Sequence, residues 1–319
     1  MNHTNSPKPW LILVGPTAVG KSAVAERLAE CFQTGIIVAD SRQVYQRLEI
    51  GTGKPDAAAR ARVQRHLIDF VPPEQVFSAG AYKKAAEAVI AQMSRAGKKV
   101  LIEGGTGLYL KALLHPLWDG PPADWTYREM LRQREEDEGA GTLYRELARV
   151  DPPLSEDLHV KNLQRIIRAL EVHHLTGRRL SEIHAEDAAA KQDRDTPHRM
   201  IGLRRGREDL YRRIDLRVEH YIEAGLVAEV ARLLDSGLSA DLPAMRGLGY
   251  RQMIPYLSGT QSLDEAVSIL KRDTRRFAKR QMTWFRADPN IQWVDLSKDE
   301  SAEETAARIM RLNKGSSVL

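Results

Sequence analysis

This 319-residue chain has one cysteine, nine histidines without ligand spacing, and no long apolar run. With Cys31 alone, neither a disulfide framework nor a thiolate cluster for zinc can form. Its place in the apolar rhythm of Ala23 to Phe32 predicts a packed side chain rather than a reactive one. No HxxxH or similar pattern occurs, and the adjacent His173 and His174 read as part of a helix, not as a metal site. No stretch approaches the ~18 apolar residues of a membrane span, and Met1 to Trp10 has neither the basic nor the apolar segment of a leader. A soluble, monomeric protein in a reducing cytoplasm, with no membrane partner, is the expectation. Internal repeats and low-complexity segments are missing too.

What is present suffices for a core: 42% of the residues are hydrophobic. Charged residues make up 29%, and the net charge of +5 permits a polyanionic partner without demanding one. The length suits one domain with a large insertion, or two domains.

The strongest local signal is Gly15-Pro16-Thr17-Ala18-Val19-Gly20-Lys21-Ser22, which spells GxxxxGK(S/T) directly after the aliphatic run Leu11 to Val14. Strand, glycine loop and helix arrive in the order a phosphate cradle requires. Backbone N–H groups turn inward, Lys21 supplies a point charge, and Ser22 offers a hydroxyl to Mg²⁺. Ile36 to Ala39 and Lys99 to Glu103 form two more strand candidates, ending at Asp40-Ser41 and at Gly104-Gly105-Thr106-Gly107, with a helix from Gly80 to Arg95 between them. Strands alternating with helices predict an α/β fold, a P-loop NTPase-like parallel sheet flanked by helices, with ligands off the carboxyl ends of its strands. Asp40 and Thr106 should then share an edge with Lys21.

Pro116, Pro121 and Pro122 interrupt this pattern, and the charged, helical stretch that follows predicts an all-helical insertion domain at 119–197, with a solvated loop at Lys191 to Asp195. The core is then 1–118 and 198–319. Its second part should hold a strand at Met200 to Leu203, a long helix from Arg207 to about Asp235, a glycine connector at Arg246 to Tyr250 and a basic helix ending near Arg286. A last strand, Ile291 to Leu296, precedes a helix capped by Ser301 and Glu304.

Asp40 closes an apolar strand beside the phosphate loop, so it is a candidate general base or Mg²⁺ ligand; the competing role is that of a turn or cap residue. An NTP hydrolase should show a second apolar strand ending in aspartate. The best later strand ends in Glu103, and Leu67-Ile68-Asp69 is a weak substitute. Thr106 suits a ligand approaching backbone, and Gly51-Thr52-Gly53-Lys54-Pro55 reads equally as ligand loop or surface turn. From Lys271 to Arg286, seven basic residues face the single acid Asp273, with Phe277, Trp284 and Phe285 interleaved. Lys161, Arg165 and Arg168 fall at helical spacing. Each run alone describes a solvated face, but together with Arg246 and Arg251 they point to nucleic acid.

Assembled, these segments closely resemble the bacterial tRNA dimethylallyltransferase family: GPTAVGKS from Gly15, DSRQVY from Asp40, IGTGKP from Ile50, GGTGLYLKAL from Gly104, QRIIRALEV from Gln164, MRGLGYRQM from Met245 and TRRFAKRQMTWFR from Thr274. Departures are mild: Ser22 where threonine is also common, and Gly53 where alanine is frequent. The resemblance implies that Gly15 to Ser22 hold the diphosphate of dimethylallyl diphosphate and that Asp40 accepts a proton from the adenine N6 amine. It places Thr106 and Arg128 near a tRNA anticodon stem-loop. It assigns contacts with the flipped-out base and its neighbours to Asp40, Ser41, Arg42 and Gln43, and to Gln164, Arg165, Ile166, Ile167 and Arg168. The same holds for Arg246, Gly247, Leu248, Gly249, Tyr250 and Arg251, and for Lys279, Arg280, Gln281, Met282, Thr283, Trp284, Phe285 and Arg286. Mg²⁺ on Ser22 is the implied cofactor. The rivals are an ATP-dependent kinase with a lid and a non-catalytic RNA-binding NTPase.

Overall fold

Residues 11–14 alternate between two cores. Ile12 and Val14 point into one cluster, with Ile37, Ala39, Ile102, Tyr82 and Tyr250, while Leu11 and Leu13 join Ile36, Val38, Leu101, Ile201 and Leu203 on the opposite face. A strand covered on both faces must be apolar throughout, and the continuous aliphatic run reflects this. The computed structural model describes residues 9–115, 118, 120–189 and 197–313. The first residues of the chain, Pro116, the expected boundary at Asp119 and the loop Lys191 to Asp195 lie outside them.

Six strands, β1 (Trp10–Val14), β2 (Ile36–Ala39), β3 (Arg65–His66), β4 (Leu101–Gly104), β5 (His198–Arg205) and β6 (Ile291–Leu296), form one sheet in the order β3-β2-β4-β1-β5-β6. Every neighbouring pair is parallel. Val14 and Ala39 both pair with Gly104, so β1, β2 and β4 end flush. Gly15, Asp40 and Gly105 therefore leave the sheet along one edge. β3 had no sequence signal; its two polar residues are in a strand because Ile36 and Ile37 pair with them.

Four helices accompany the first strands: α1 (Lys21–Phe32), α2 (Ala57–Arg62), α3 (Ala79–Arg95) and α4 (Gly107–Leu114). The chain divides at Leu114–His115 and again at Asp195–Thr196. The described part of the intervening unit holds α5 (Trp125–Asp137), α6 (Thr142–Val150), α7 (Pro152–Asp157), α8 (Leu163–Thr176) and α9 (Leu180–Ala189). Its own core is built from Leu131, Leu143, Leu147, Ile166, Ile167 and Leu170. His173 and His174 belong to α8, where His174 stacks on Tyr127 with ring centroids 4.0 Å apart.

The first unit resumes with α10 (Arg207–Glu223), α11 (Leu226–Asp235), α12 (Tyr250–Leu257), α13 (Leu263–Arg286) and α14 (Ala302–Asn313). Two expectations need correction. The single helix from Arg207 to Asp235 is two, because Gly225 at φ 96° breaks the ladder and redirects the chain. Cys31 is exposed, since the buried stripe of α1 is Val24, Ala25, Leu28 and Ala29 and Cys31 lies off it. At α14 the cap forms as the sequence indicates: Glu304 N–H donates to Ser301 Oγ (3.1 Å) and Ser301 N–H donates back to Glu304 (2.8 Å).

Candidate active site

Gly15 opens the loop at φ 146°, and a Cβ there would stand 2.6 Å from the Leu203 carbonyl oxygen of the neighbouring strand, so no other residue can make this turn. Ala18 takes the left-handed conformation at φ 62°, a strained state for a residue with a side chain and one typical of ligand loops. Gly20 then caps α1 without a side chain, which leaves the first-turn amides to a ligand rather than to a cap. Lys21 folds back over the loop and donates to the Pro16 carbonyl at 2.9 Å. Burial pushes its ammonium down to about 8; the carboxylates of Glu103 and Asp40 oppose that fall and the Arg217 guanidinium adds to it.

Three arginines that carried no sequence signal close on this loop. Arg205, at the end of β5, donates from Nε to the Val19 carbonyl (3.0 Å), and Arg213 donates from Nε to the Ala18 carbonyl (2.9 Å). Arg217 reaches the Thr17 hydroxyl from Nη1 at 3.4 Å while its Nε donates to the Tyr221 hydroxyl. Arg213 is held below its usual range first by burial and then by Arg205. The four-residue spacing of Arg213 and Arg217 along α10 was visible; that this face of α10 packs on the P-loop was not. Together with Lys21 they make a strongly electropositive cradle.

Across the edge, Asp40 follows β2 half-buried, and its Oδ1 accepts the N–H groups of Arg42 (2.8 Å) and Gln43 (3.3 Å). It thus has the cap geometry weighed from sequence, with Oδ2 left over for chemistry. Thr106 locks the two turns together: its hydroxyl accepts the Ser41 N–H at 3.0 Å and its own N–H donates to the Ala39 carbonyl at 3.1 Å. Asp40 and Thr106 do stand at the sheet edge that carries Lys21.

Glu103, set aside for lacking an aspartate's signature, sits beneath the loop, with 3% exposure, and accepts the Ser22 hydroxyl at 3.1 Å. Its other oxygen accepts from Arg65 Nη1 at 2.8 Å, and Arg65 also pairs with Glu26. The signal was its position at the end of the strand beside β1. Among the described residues no group of three or more histidine, cysteine, aspartate or glutamate side chains could hold a metal. A cation at Ser22 would rest on few protein oxygens and on its phosphate ligand, the usual Mg²⁺ arrangement, and Ser22 with Glu103 behind it fits that arrangement.

Gly51 to Pro55 is mainly architectural. Lys54 is buried, donating to the Tyr45 carbonyl (2.6 Å), Glu49 (2.9 Å) and Asp69 (2.7 Å). The buried Glu229 of α11 accepts the Ile50 N–H (2.9 Å) and the Tyr250 hydroxyl (2.6 Å). Gly53 lies so close to Arg217 that a Cβ there would collide with the guanidinium.

The remaining expected contact residues divide by exposure. Arg246, Arg251, Lys279, Arg280, Thr283, Trp284 and Arg286 are exposed; Arg42, Leu248 and Met282 are half-buried; Gln43, Gly247, Gly249, Tyr250, Gln281 and Phe285 are buried. Gln43 donates to the Thr52 carbonyl (3.3 Å), and Arg42 to that of Pro243 (2.5 Å). In the helical unit, Gln164 and Arg165 are exposed, whereas Ile166 and Ile167 are core. Lys161 precedes α8 and is not on its face. Arg128 binds Glu171 through two bonds (2.8 and 2.7 Å), and Arg168 binds the same carboxylate at 2.5 Å. Burial works against ionising Glu171, but the two arginines and the Asp124 N–H prevail and hold it below its usual range.

Residues 43–288 match the family model described as IPP transferase. The chain is 48% identical over 285 residues to tRNA dimethylallyltransferase 2 of Geotalea uraniireducens, covering 89% of this chain and 91% of that one. It is 44% identical to the tRNA dimethylallyltransferase of Pelotomaculum thermopropionicum over 99% of both. The crystal structure of the tRNA isopentenylpyrophosphate transferase of Bacillus halodurans superposes with a TM-score of 0.71 at 35% identity, covering 97% of this chain and 96% of that one. A eukaryotic dimethylallyltransferase acting on tRNA shares the fold, with a TM-score of 0.79 at 24% identity over 95% of this chain and 79% of that one. A phosphate loop ringed by arginines and facing an aspartate, together with these matches over nearly the full length, makes this chain a member of the tRNA dimethylallyltransferase (IPP transferase) family.

Proposed function

We propose that this enzyme transfers the dimethylallyl group of dimethylallyl diphosphate to N6 of the adenosine beside the anticodon, in tRNAs that read codons beginning with U, with release of diphosphate. The observation that carries this reading is the opposition, on one sheet edge, of a cationic diphosphate cradle and Asp40. An exocyclic amine is a poor nucleophile, and an allylic diphosphate departs only if its growing negative charge is stabilised. Lys21, Arg217 and the loop amides of Gly15, Ala18 and Gly20 supply that stabilisation; Pro16 contributes conformation rather than a donor, and the N–H groups of Thr17 and Val19 are given to Gln281 and to the Pro16 carbonyl. Asp40 Oδ2 accepts the amine proton as the C–N bond forms, and Oδ1 stays on its two amides to hold the carboxylate in line. Mg²⁺ bound through Ser22 would neutralise charge on the leaving diphosphate. Glu103 would fix the Ser22 hydroxyl, directing a lone pair outward.

A base stacked in the anticodon loop cannot reach this edge, so the acceptor adenosine must be extruded. Exposed Lys279, Arg280 and Arg286 with Trp284 on α13, Arg246 before α12 and Arg251 in its first turn suit the RNA around it. The helical unit, with Gln164, Arg165 and the Arg128–Glu171–Arg168 cluster, is proposed to grip the anticodon stem-loop. The Ser22–Glu103 contact is the one observation that favours a kinase. Incubation with unmodified tRNA, Mg²⁺ and labelled dimethylallyl diphosphate, without ATP, separates the readings. Labelled tRNA supports the transferase; unlabelled tRNA with folded protein defeats it, and label on free AMP alone would reassign the acceptor.

A further inference from the structure

The buried stripe of α13 begins with Ala266 and Leu270 and ends with Thr274, Ala278, Gln281 and Phe285. Thr274 and Ala278 are small and Phe285 fills space, so the long amide of Gln281, 7% exposed, is the member of the stripe that packing alone does not call for. Both its ends are used. Oε1 accepts the N–H of Thr17 at 2.8 Å, and Nε2 donates to the carbonyl of Gly105 at 2.9 Å. A flipped amide would set donor against donor and acceptor against acceptor, so one orientation satisfies the site. The approach is close: a Cβ on Gly105 would stand 2.3 Å from Nε2.

These two partners belong to opposite sides of the reaction. Thr17 is in the diphosphate loop, where its hydroxyl meets Arg217. Gly105 precedes Thr106, which holds Ala39 and Ser41 on either side of Asp40. We infer that Gln281 is a positioning residue: by bonding Thr17 and Gly105 through one rigid amide, it sets the separation between the leaving diphosphate and the base that deprotonates the nucleophile. This rests on the transferase reading above. Gln281 then touches neither substrate and works through the two turns. A loosened bridge leaves each half-site able to bind but lets their spacing drift, and a drift of about 1 Å between reacting groups costs ~100-fold in rate.

The test uses the full-length chain with Gln281→Met, which keeps length and volume but neither hydrogen bond, and Gln281→Glu, which keeps an acceptor for Thr17 N–H and turns an oxygen on the Gly105 carbonyl. Competent sites are counted by calorimetric titration with inorganic pyrophosphate and Mg²⁺, so that a partly unfolded sample does not pass for a slow one. Expected is a ~100-fold fall in kcat per counted site for Gln281→Met and a clear fall for Gln281→Glu, with KM for tRNA and for dimethylallyl diphosphate held within about threefold. A kcat per site within about threefold of the parent in either variant, or a loss expressed in KM alone, overturns the inference. If Gln281→Met does not fold, Gln281→Glu decides. Failure of the parent enzyme to label tRNA would count against the transferase reading itself and is seen in the same experiment.

Discussion

Lys21 should make donor binding fall steeply just above neutral pH. Its ammonium is shielded over the loop, on the Pro16 carbonyl, and burial lowers its proton affinity so that it titrates at about 8. The charged form, which attracts diphosphate, is present below that value and disappears as pH rises through it. A bound diphosphate keeps the proton on, so linkage makes the apparent affinity track the protonated fraction of the free enzyme. For a group titrating at about 8, that fraction drops from ~0.9 at pH 7 to ~0.1 at pH 9. The affinity should therefore fall ~10-fold over the interval, or ~1.4 kcal/mol. Calorimetry with dimethylallyl diphosphate alone, at fixed Mg²⁺ and without tRNA, reads this without turnover. In Lys21→Arg the slope should vanish, because a guanidinium stays charged throughout. A flat profile between pH 7 and pH 9 in the parent, or an undiminished slope in Lys21→Arg, refutes the reasoning.

Asp40→Asn keeps an oxygen for the N–H groups of Arg42 and Gln43, so the turn should survive; kcat should fall ~10²–10⁴-fold with pyrophosphate affinity unchanged, and a variant retaining parental kcat would remove Asp40 as the base. Glu171→Gln leaves Arg128 and Arg168 sharing a neutral amide inside the helical unit. Denaturant titration should show a loss of ~3 kcal/mol there, and a loss below ~1 kcal/mol would mean the cluster is not a keystone. Neutralising the exposed Lys279, Arg280 and Arg286 together should weaken tRNA binding and flatten its dependence on log salt by ~3, about one per lost phosphate contact; an unchanged slope would take α13 off the RNA path.

Several elements were legible because local physics writes them into adjacent residues. The P-loop needs a left-handed glycine, a lysine and a hydroxyl at fixed offsets, and all lie within Gly15 to Ser22. The strands β1 and β2 are apolar throughout because both faces are covered, and the Ser301–Glu304 cap is closed by residues three apart. β3 has no local signature because two polar residues become a strand only when Ile36 and Ile37 supply the partner. Cys31 is exposed although the apolar period runs through it, because it lies at the end of α1, where one residue's rotation decides burial. The break at Gly225 is hidden in the sequence because an amphipathic period continues on both sides of it.

Adjacent residues are enough to specify the phosphate loop, the parallel α/β sheet, the edge on which Asp40 and Thr106 stand, and the family. Tertiary structure alone decided what surrounds that edge. Arg205, Arg213 and Arg217 approach the loop because β5 lies beside β1 and α10 follows it. Glu103 meets Ser22 across 81 residues, and Gln281 meets Thr17 across 264. The cause is the reach of each interaction: a turn or a cap is closed by near neighbours, whereas a guanidinium or an amide hydrogen-bonds whatever the folded sheet brings within about 3 Å of it.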